Sequence, residues 1–357
     1  MSPVSPEHNV DSHKRVVLIT GCSAGGLGDA LARAFHATGK TRVIATGRDQ
    51  SKMGHFNNLG IETVLLDVLS QTSIDACVQE VTTKTNGVLD LLINNSGAGY
   101  HCPLADVDLD MARQLFDLNV WAPMAVTKSF LPLLLASASS GRNPMVVNQT
   151  SLASVSSMPF TGVYSASKAA LASLTDTMRL EMGMFGIAFV DLKTGSVKSN
   201  FHRNMGPTGK QKLSDESIFA PAREIINDVM SGTHFIEVAI EADDYAQDVV
   251  KALLKNPKCP PVQLWKGKDA WLVWLGRTIL PFTAFDRELK KMARMREIKD
   301  LVDRHRNKLW ERADERRVML YHGRLVAGRF EVGSSSRGVN KYAACISCWL
   351  VTEYSAY

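Results

Sequence analysis

RVVLITGCSAGGLG, residues Arg15 to Gly28, joins a short apolar run to a glycine-rich turn and then to a helical pattern. The run Arg15 to Thr20 is rich in β-branched residues and reads as a strand, and Leu27 to Thr38 carries helical spacing. Four glycines between Gly21 and Gly28 exceed what a tight turn requires. At a strand-to-helix junction they let backbone N–H groups and a helix N-terminus approach a pyrophosphate.

The same alternation continues outward. Arg42 to Thr46, Glu62 to Asp67, Leu89 to Asn94, Pro144 to Gln149, Ile187 to Leu192 and Pro261 to Trp265 read as further strands. Between them Gln71 to Thr85, Asp108 to Leu135, Ser165 to Met182 and Asp243 to Leu254 read as helices. Strands apolar on both faces and separated by helices specify a doubly wound α/β sheet, about seven strands wide, with parallel strands and right-handed crossovers. Ligands in such sheets bind beyond the carboxyl ends of the strands, where the strand order reverses.

The chain has 357 residues, 45% of them apolar and 22% charged, enough to bury a sizeable core. Its first residues are polar, with Pro3 and Pro6 where a secretory signal needs an apolar core, so residues 1–13 are expected to be a disordered lead and the location cytoplasmic. Six cysteines without a regular framework suit a reducing compartment. Cys345 and Cys348 form a CxxC, but no second pair accompanies them, so no metal is expected. Most of the +5 net charge lies between Asp286 and Arg317. Acids interleave with the bases there and no stacking aromatics alternate with them, which argues against nucleic acid.

Tyr164 and Lys168 lie four residues apart in a helical stretch, hence on one face. A lysine so placed can lower a tyrosine pKa toward a value useful for proton transfer, though a solvated lysine on a surface helix has the same spacing. After the second strand, where a carboxylate would accept the ribose 2′-OH of NAD, stand Thr46, Gly47 and Arg48. A guanidinium can grip the 2′-phosphate of NADP instead, with Lys52 as a second contact and Asp49 as the counter-indication one or two positions out of register.

Taken together, the glycine turn, Asp67, Asn94-Asn95-Ser96-Gly97, Asn119, Ser151, Tyr164 and Lys168 resemble the short-chain dehydrogenase/reductase superfamily in order and spacing over about residues 14 to 265. The TGCSAGGLG turn and the Trp265, Trp274-Leu275, Pro281 and Asp286 region are similar to fungal and yeast acyl-dihydroxyacetone-phosphate reductases. The resemblance implies a Rossmann-type NADP-binding catalytic domain over residues 14–265. In it Tyr164 would be the proton donor, Ser151 the group that polarises the carbonyl, Lys168 the residue that tunes Tyr164 and holds the ribose, and Asn119 the holder of a relay water. It also implies cofactor contacts at Ile19, Gly21, Gly26, Leu27, Gly28, Thr46, Arg48, Lys52, Asp67, Asn95, Val197 and Ser199, and pairing of two copies through the helices bearing Asn119 and Tyr164. Thr194 stands where the family usually has proline, Ser96 where it has alanine, and the glycine turn is one residue longer than its commonest form.

Residues 200–240 mix Phe201, Met205, Phe219, Ile225, Ile226, Met230 and Phe235 with glycines, as an apolar lid over a lipophilic carbonyl or alcohol substrate would; ordinary helix packing would use the same residues. His101 either lines the pocket or is structural. Residues 266–332 are read as an extension. Its Trp271 to Phe285 stretch is apolar but too short and interrupted to span a membrane. It is followed by an amphipathic helix through Leu289, Met292, Met295, Ile298, Val302, His305 and Leu309. Either packing on the catalytic domain or peripheral attachment to endoplasmic reticulum or a lipid droplet fits this segment. Residues 333–357 are expected to be a disordered tail. Two functions fit the whole: an NADPH-dependent reductase of a lipophilic ketone, from lipid or secondary-metabolite biosynthesis, or a non-catalytic NADP-binding sensor docking through the C-terminal helix.

Overall fold

The structure, a computed structural model, describes residues 14–201, 213–233 and 237–308. The expected lead and tail, together with Met205, Phe235, Leu309, Cys345 and Cys348, lie outside the described residues. Seven strands form one sheet: β1 Arg15–Ile19, β2 Thr41–Gly47, β3 Glu62–Leu65, β4 Leu91–Asn94, β5 Met145–Gln149, β6 Ala188–Thr194 and β7 Gln263–Lys266. Their order is β3-β2-β1-β4-β5-β6-β7, and every pairing is parallel. The order reverses between β1 and β4, so a crevice opens beyond the carboxyl ends of those two strands.

The strands carry helices on both faces because successive side chains point to opposite sides. Val17 and Ile19 of β1 face one core cluster with Phe35 of α1 (Leu27–Ala37) and Val249 of α7 (Ala242–Lys255). Leu18, between them, faces the other cluster with Ile74 of α2 (Gln71–Thr85) and Phe130 of α4 (Ala122–Ser139). Each such side chain, fully buried, stabilises the fold by about 2 kcal/mol. At the amino end of β4, fully buried Asp90 accepts from the Val16 amide at 2.8 Å and the Ser137 hydroxyl at 3.0 Å and pairs with Arg142 at 2.6 Å.

Three elements differ from expectation. The helix expected over Asp108 to Leu135 begins as α3 (Leu109–Phe116), capped by Asp108, which accepts from the amides of Asp110 and Met111. It passes through a π turn at Asp117–Trp121 before α4, and Asn119 lies in that turn. Hydrophobic periodicity cannot show a one-residue change of helical pitch, and such turns often sit at functional sites. A 3-10 helix at Gln50–Leu59 follows β2 where none was expected; it has little amphipathic pattern to announce it. The amphipathic helix expected from Leu289 through Leu309 is broken: α9 (Asp286–Met292) stops, Arg294 takes a positive φ of 53°, and helix resumes at 295. Apolar spacing continues across the break because Ala293, Ile298, Met295 and Val302 all pack into one cluster.

That cluster also contains Phe160, Ile226, Phe219, Ile225 and Met230, so the segment around α6 (Arg223–Ser231), for which a lid or ordinary helix packing was expected, packs on residues 293–302. The contacts group Met1–Val302 as one compact unit and Asp303–Tyr357 as another, so β7, α8 (Ala270–Ile279) and α9 lie in the same unit as the sheet. In the second unit, residues 303–308 are helical.

Candidate functional site

The crevice is lined first by the turn after β1. Gly21 has φ +76°, open to glycine at little cost. A Cβ on Gly28 would lie 2.5 Å from the Gly21 carbonyl oxygen and 2.6 Å from Asn95 Nδ2, so backbone and side chain meet there at a distance only glycine allows. Gly26 is the N-cap of α1, supplies no side chain, and its amide returns to the Ser23 carbonyl; Leu27 opens the helix and packs partly buried on the core. Asn95 donates to the carbonyls of Thr20 and Gly21 at 2.7 and 3.1 Å, which locks the end of β4 to the turn. The result is a cradle bounded by α1 and β4, with glycine where the turn, the start of α1 and the end of β4 crowd together.

Ile19 and Thr46 turn inward. The Ile19 side chain is buried in the core and its carbonyl accepts from the Thr46 hydroxyl at 3.0 Å, so neither side chain faces the crevice. Arg48 and Lys52 are exposed just beyond β2, and the Lys52 carbonyl accepts from the Ala24 amide, which places that segment beside the glycine turn. Asp49 accepts from the amide and hydroxyl of Ser51 and so caps the 3-10 helix. Asp67, half-buried after β3, accepts from the Leu69 amide; the cap of α2 is Ser70.

Ser151, Tyr164, Lys168 and Asn119 converge on the other side of β4. Ser151 follows β5 and caps the 3-10 turn Leu152–Ser154, accepting from the Ala153 amide at 3.1 Å. Tyr164 and Lys168 lie on α5 (Gly162–Gly183), and Ser151 is the polar side chain that acts on the Tyr164 phenol. The Lys168 ammonium donates to the Gln149 carbonyl at 2.9 Å and lies 6.0 Å from the Tyr164 ring centroid. Asn119, completely buried, binds both backbone groups of Ala98 at 2.9 Å and donates to Ser167, the neighbour of Lys168, at 3.1 Å. The π turn thus brings Asn119 to the lysine side of the site.

Electrostatics here differ from the simple expectation that the lysine lowers the phenol. Burial raises the Tyr164 pKa, and the Ser151 side chain partly offsets it. Lys168, with its ammonium turned to Gln149, is brought down to about 8 by burial, against which Asp191 pulls it up. Cys22, in the glycine turn, is buried and pushed up to about 12, an inert thiol.

The loop after β6 closes over the turn. Val197 bridges to Ile240, Ser199 accepts from the Phe201 amide, and the Asn200 side chain and amide bind the carbonyls of Ala24 and Gly25, each at 3.0 Å. The Phe201 ring stands 6.1 Å from that of Tyr164. Thr194, in place of a proline, is held by the Tyr245 hydroxyl at 2.7 Å. His101 is buried with Nδ1 against the Met230 carbonyl at 2.7 Å, a tie to α6, and burial lowers its pKa.

Sequence reasoning passed over four residues here. Asp29 binds the Gly25 amide at 2.9 Å and pairs with His55 and Arg33. Asn200 docks the loop, and Asp191 and Lys193 put charges into β6; in a strand buried on both faces, the acid and base within AFVDLKT were the available signal.

The family model described as short chain dehydrogenase matches residues 15–209. Short-chain dehydrogenase/reductase GME11361 of Pestalotiopsis microspora is 41% identical over 79% of this chain and 94% of its own. The NADPH-dependent 1-acyldihydroxyacetone phosphate reductase of Schizosaccharomyces pombe is 30% identical over 79% of this chain and 95% of its own. A solved short-chain dehydrogenase from Streptomyces avermitilis superposes with a TM-score of 0.62 at 25% identity, over 80% of this chain and 98% of that one.

Proposed function

The chain belongs to the short-chain dehydrogenase/reductase family, and we propose that within it the protein is an NADPH-dependent reductase of a lipophilic ketone. The observation that carries this reading is the convergence of Ser151, Tyr164 and Lys168 on one side of a glycine cradle in which a Cβ at Gly28 has no room.

In this reading the cradle at Gly21, Gly26 and Gly28 holds the cofactor's pyrophosphate, with Asp67 and Asn95 beside the adenosine and the strand end, and Val197 and Ser199 toward the nicotinamide. Arg48, exposed and without a carboxylate competing at Gly47, grips the 2′-phosphate together with Lys52. The cofactor, when bound, supplies hydride. Tyr164 donates its hydroxyl proton to the carbonyl oxygen, and Ser151 hydrogen-bonds that oxygen where negative charge develops. Lys168, charged below about pH 8, favours the phenolate left behind, and Asn119 orders the route by which the proton is restored. The raised Tyr164 pKa keeps the phenol protonated at neutral pH, as reduction needs.

Phe201, whose ring stands beside that of Tyr164, supports a lipophilic substrate, as does the activity for which the fission-yeast relative is named. Peripheral attachment to a lipid surface belongs to the same reading: α8 buries Ala270 and Gly276 and exposes Trp271, Trp274 and Ile279, the side chains that favour a headgroup boundary. Co-flotation with lipid vesicles that survives Trp271→Ser with Trp274→Ser would count against attachment by this face.

The test is oxidation of NADPH and of NADH across a panel of ketones of increasing chain length. Turnover that rises with chain length and prefers NADPH supports the proposal. Binding of NADPH without consumption by any ketone would instead identify a sensor.

A further inference from the structure

Strand β6 carries an acid and a base into the interior. Asp191 and Lys193 are 0% and 2% exposed and, two residues apart, face the same side of the sheet. A buried ion pair gives little or no net stability over an apolar pair of the same shape, so stability does not explain it. What the pair touches does. Lys193 Nζ lies 2.6 Å from Asp191 Oδ2 and donates to the Ser154 hydroxyl at 3.1 Å. Ser154 in turn donates to the Ser151 carbonyl at 2.6 Å. On the other side the Thr150 hydroxyl donates to Asp191. The pair therefore holds the residue before Ser151 and, through Ser154, the turn after it. One residue further back, the Gln149 carbonyl receives Lys168.

We propose that Asp191 and Lys193 are positioning residues for the Ser151, Tyr164 and Lys168 site, pinning both flanks of Ser151 and placing a carboxylate on the strand next to the one whose Gln149 carbonyl holds Lys168. This rests on the oxidoreductase reading of that site. Among the described residues the titratable and charged groups packed about Lys168 are Tyr164 on its own helix and Asp191, with Lys193 behind it, on β6. The β5 end and the π turn present Gln149 and Asn119, which carry no charge. Asp191 opposes the burial that drives the Lys168 proton off, and Lys193 attenuates Asp191.

Two substitutions then act in opposite directions. Asp191→Asn leaves a cation near Lys168 and moves its titration to lower pH, on the order of one unit. Lys193→Met leaves the carboxylate unopposed and moves it to higher pH. Asp191→Asn with Lys193→Met, which leaves no unpaired buried charge, falls between wild type and Asp191→Asn, and decides the matter where the single variants do not fold. Two readouts are taken: the alkaline limb of kcat/KM for ketone reduction, and 13Cε-lysine NMR with the Lys168 resonance assigned by its loss in Lys168→Met. Ordered, opposite shifts in both support the inference. Ordered NMR shifts in a protein without turnover keep the coupling and sink the reductase reading. A Lys168 midpoint that stays put, or moves the same way in every variant, overturns the inference, because a merely structural pair would lower stability without that order.

Discussion

Lys168→Met should make the cofactor-free protein more stable while removing its activity. Lys168 is 5% exposed, and burial brings its pKa from 10.5 to about 8. Because the folded pKa lies below the unfolded one, the unfolded chain binds the proton more tightly, and stability rises as pH climbs through that interval. At 1.36 kcal/mol per unit, keeping the charged lysine inside costs about 3 kcal/mol at pH 7 and about 1.5 kcal/mol at pH 9.5. Methionine has a similar length and no charge, but it forfeits the hydrogen bond to the Gln149 carbonyl, worth about 1–2 kcal/mol. The variant should therefore be about 1–2 kcal/mol more stable at pH 7 and nearly equal to wild type at pH 9.5. Urea unfolding of both proteins at the two pH values reads this directly, since titrations common to both, such as that of Cys22, cancel in the difference. A variant less stable than wild type at pH 7, or a gap that does not change with pH, would refute the argument.

Three further outcomes follow from single contacts. Arg48→Ala should raise KM for NADPH about 10- to 100-fold, the loss of one charge-assisted hydrogen bond, and leave the melting temperature unchanged because Arg48 is exposed; equal use of NADPH and NADH by wild type would remove its basis. Gly28→Ala places a Cβ 2.5 Å from the Gly21 carbonyl oxygen and should cost about 1–3 kcal/mol of stability together with cofactor binding. Thermal melts and cofactor fluorescence titration read the two losses. Asp90→Ala leaves Arg142 and the Val16 amide without their buried partner and should cost about 3–5 kcal/mol. Urea unfolding that shows a loss below about 1 kcal/mol would mean that the Asp90 network is not buried as described.

Strands and helices with a full period of apolar residues were readable from the chain because burial on one or two faces writes itself into the pattern. β1 and α2 are cases where the expected and observed limits agree within a residue. The π turn around Asn119 left no such mark, since it alters pitch and not composition. The break at Arg294 was invisible for a related reason: Ala293 before it and Met295 and Ile298 after it all pack into the same cluster as α6. Within the site, spacing along α5 was enough to pair Tyr164 with Lys168, but it could not show where the ammonium points. That depends on the Gln149 carbonyl, from a strand nineteen residues earlier, and on Asp191 in the next strand. Such contacts between distant segments decide the sign of the Tyr164 shift, which burial sets upward.

Tyr164→Phe removes one oxygen, leaves the ring beside Phe201, and touches none of the glycine cradle. Its NADPH affinity and its rate of ketone reduction, measured on the same preparation, test the central claim most directly. Retained binding with turnover reduced at least about a thousandfold, the scale of general acid catalysis lost, is the predicted result. Turnover within tenfold of wild type would contradict the assignment of Tyr164 as the proton donor.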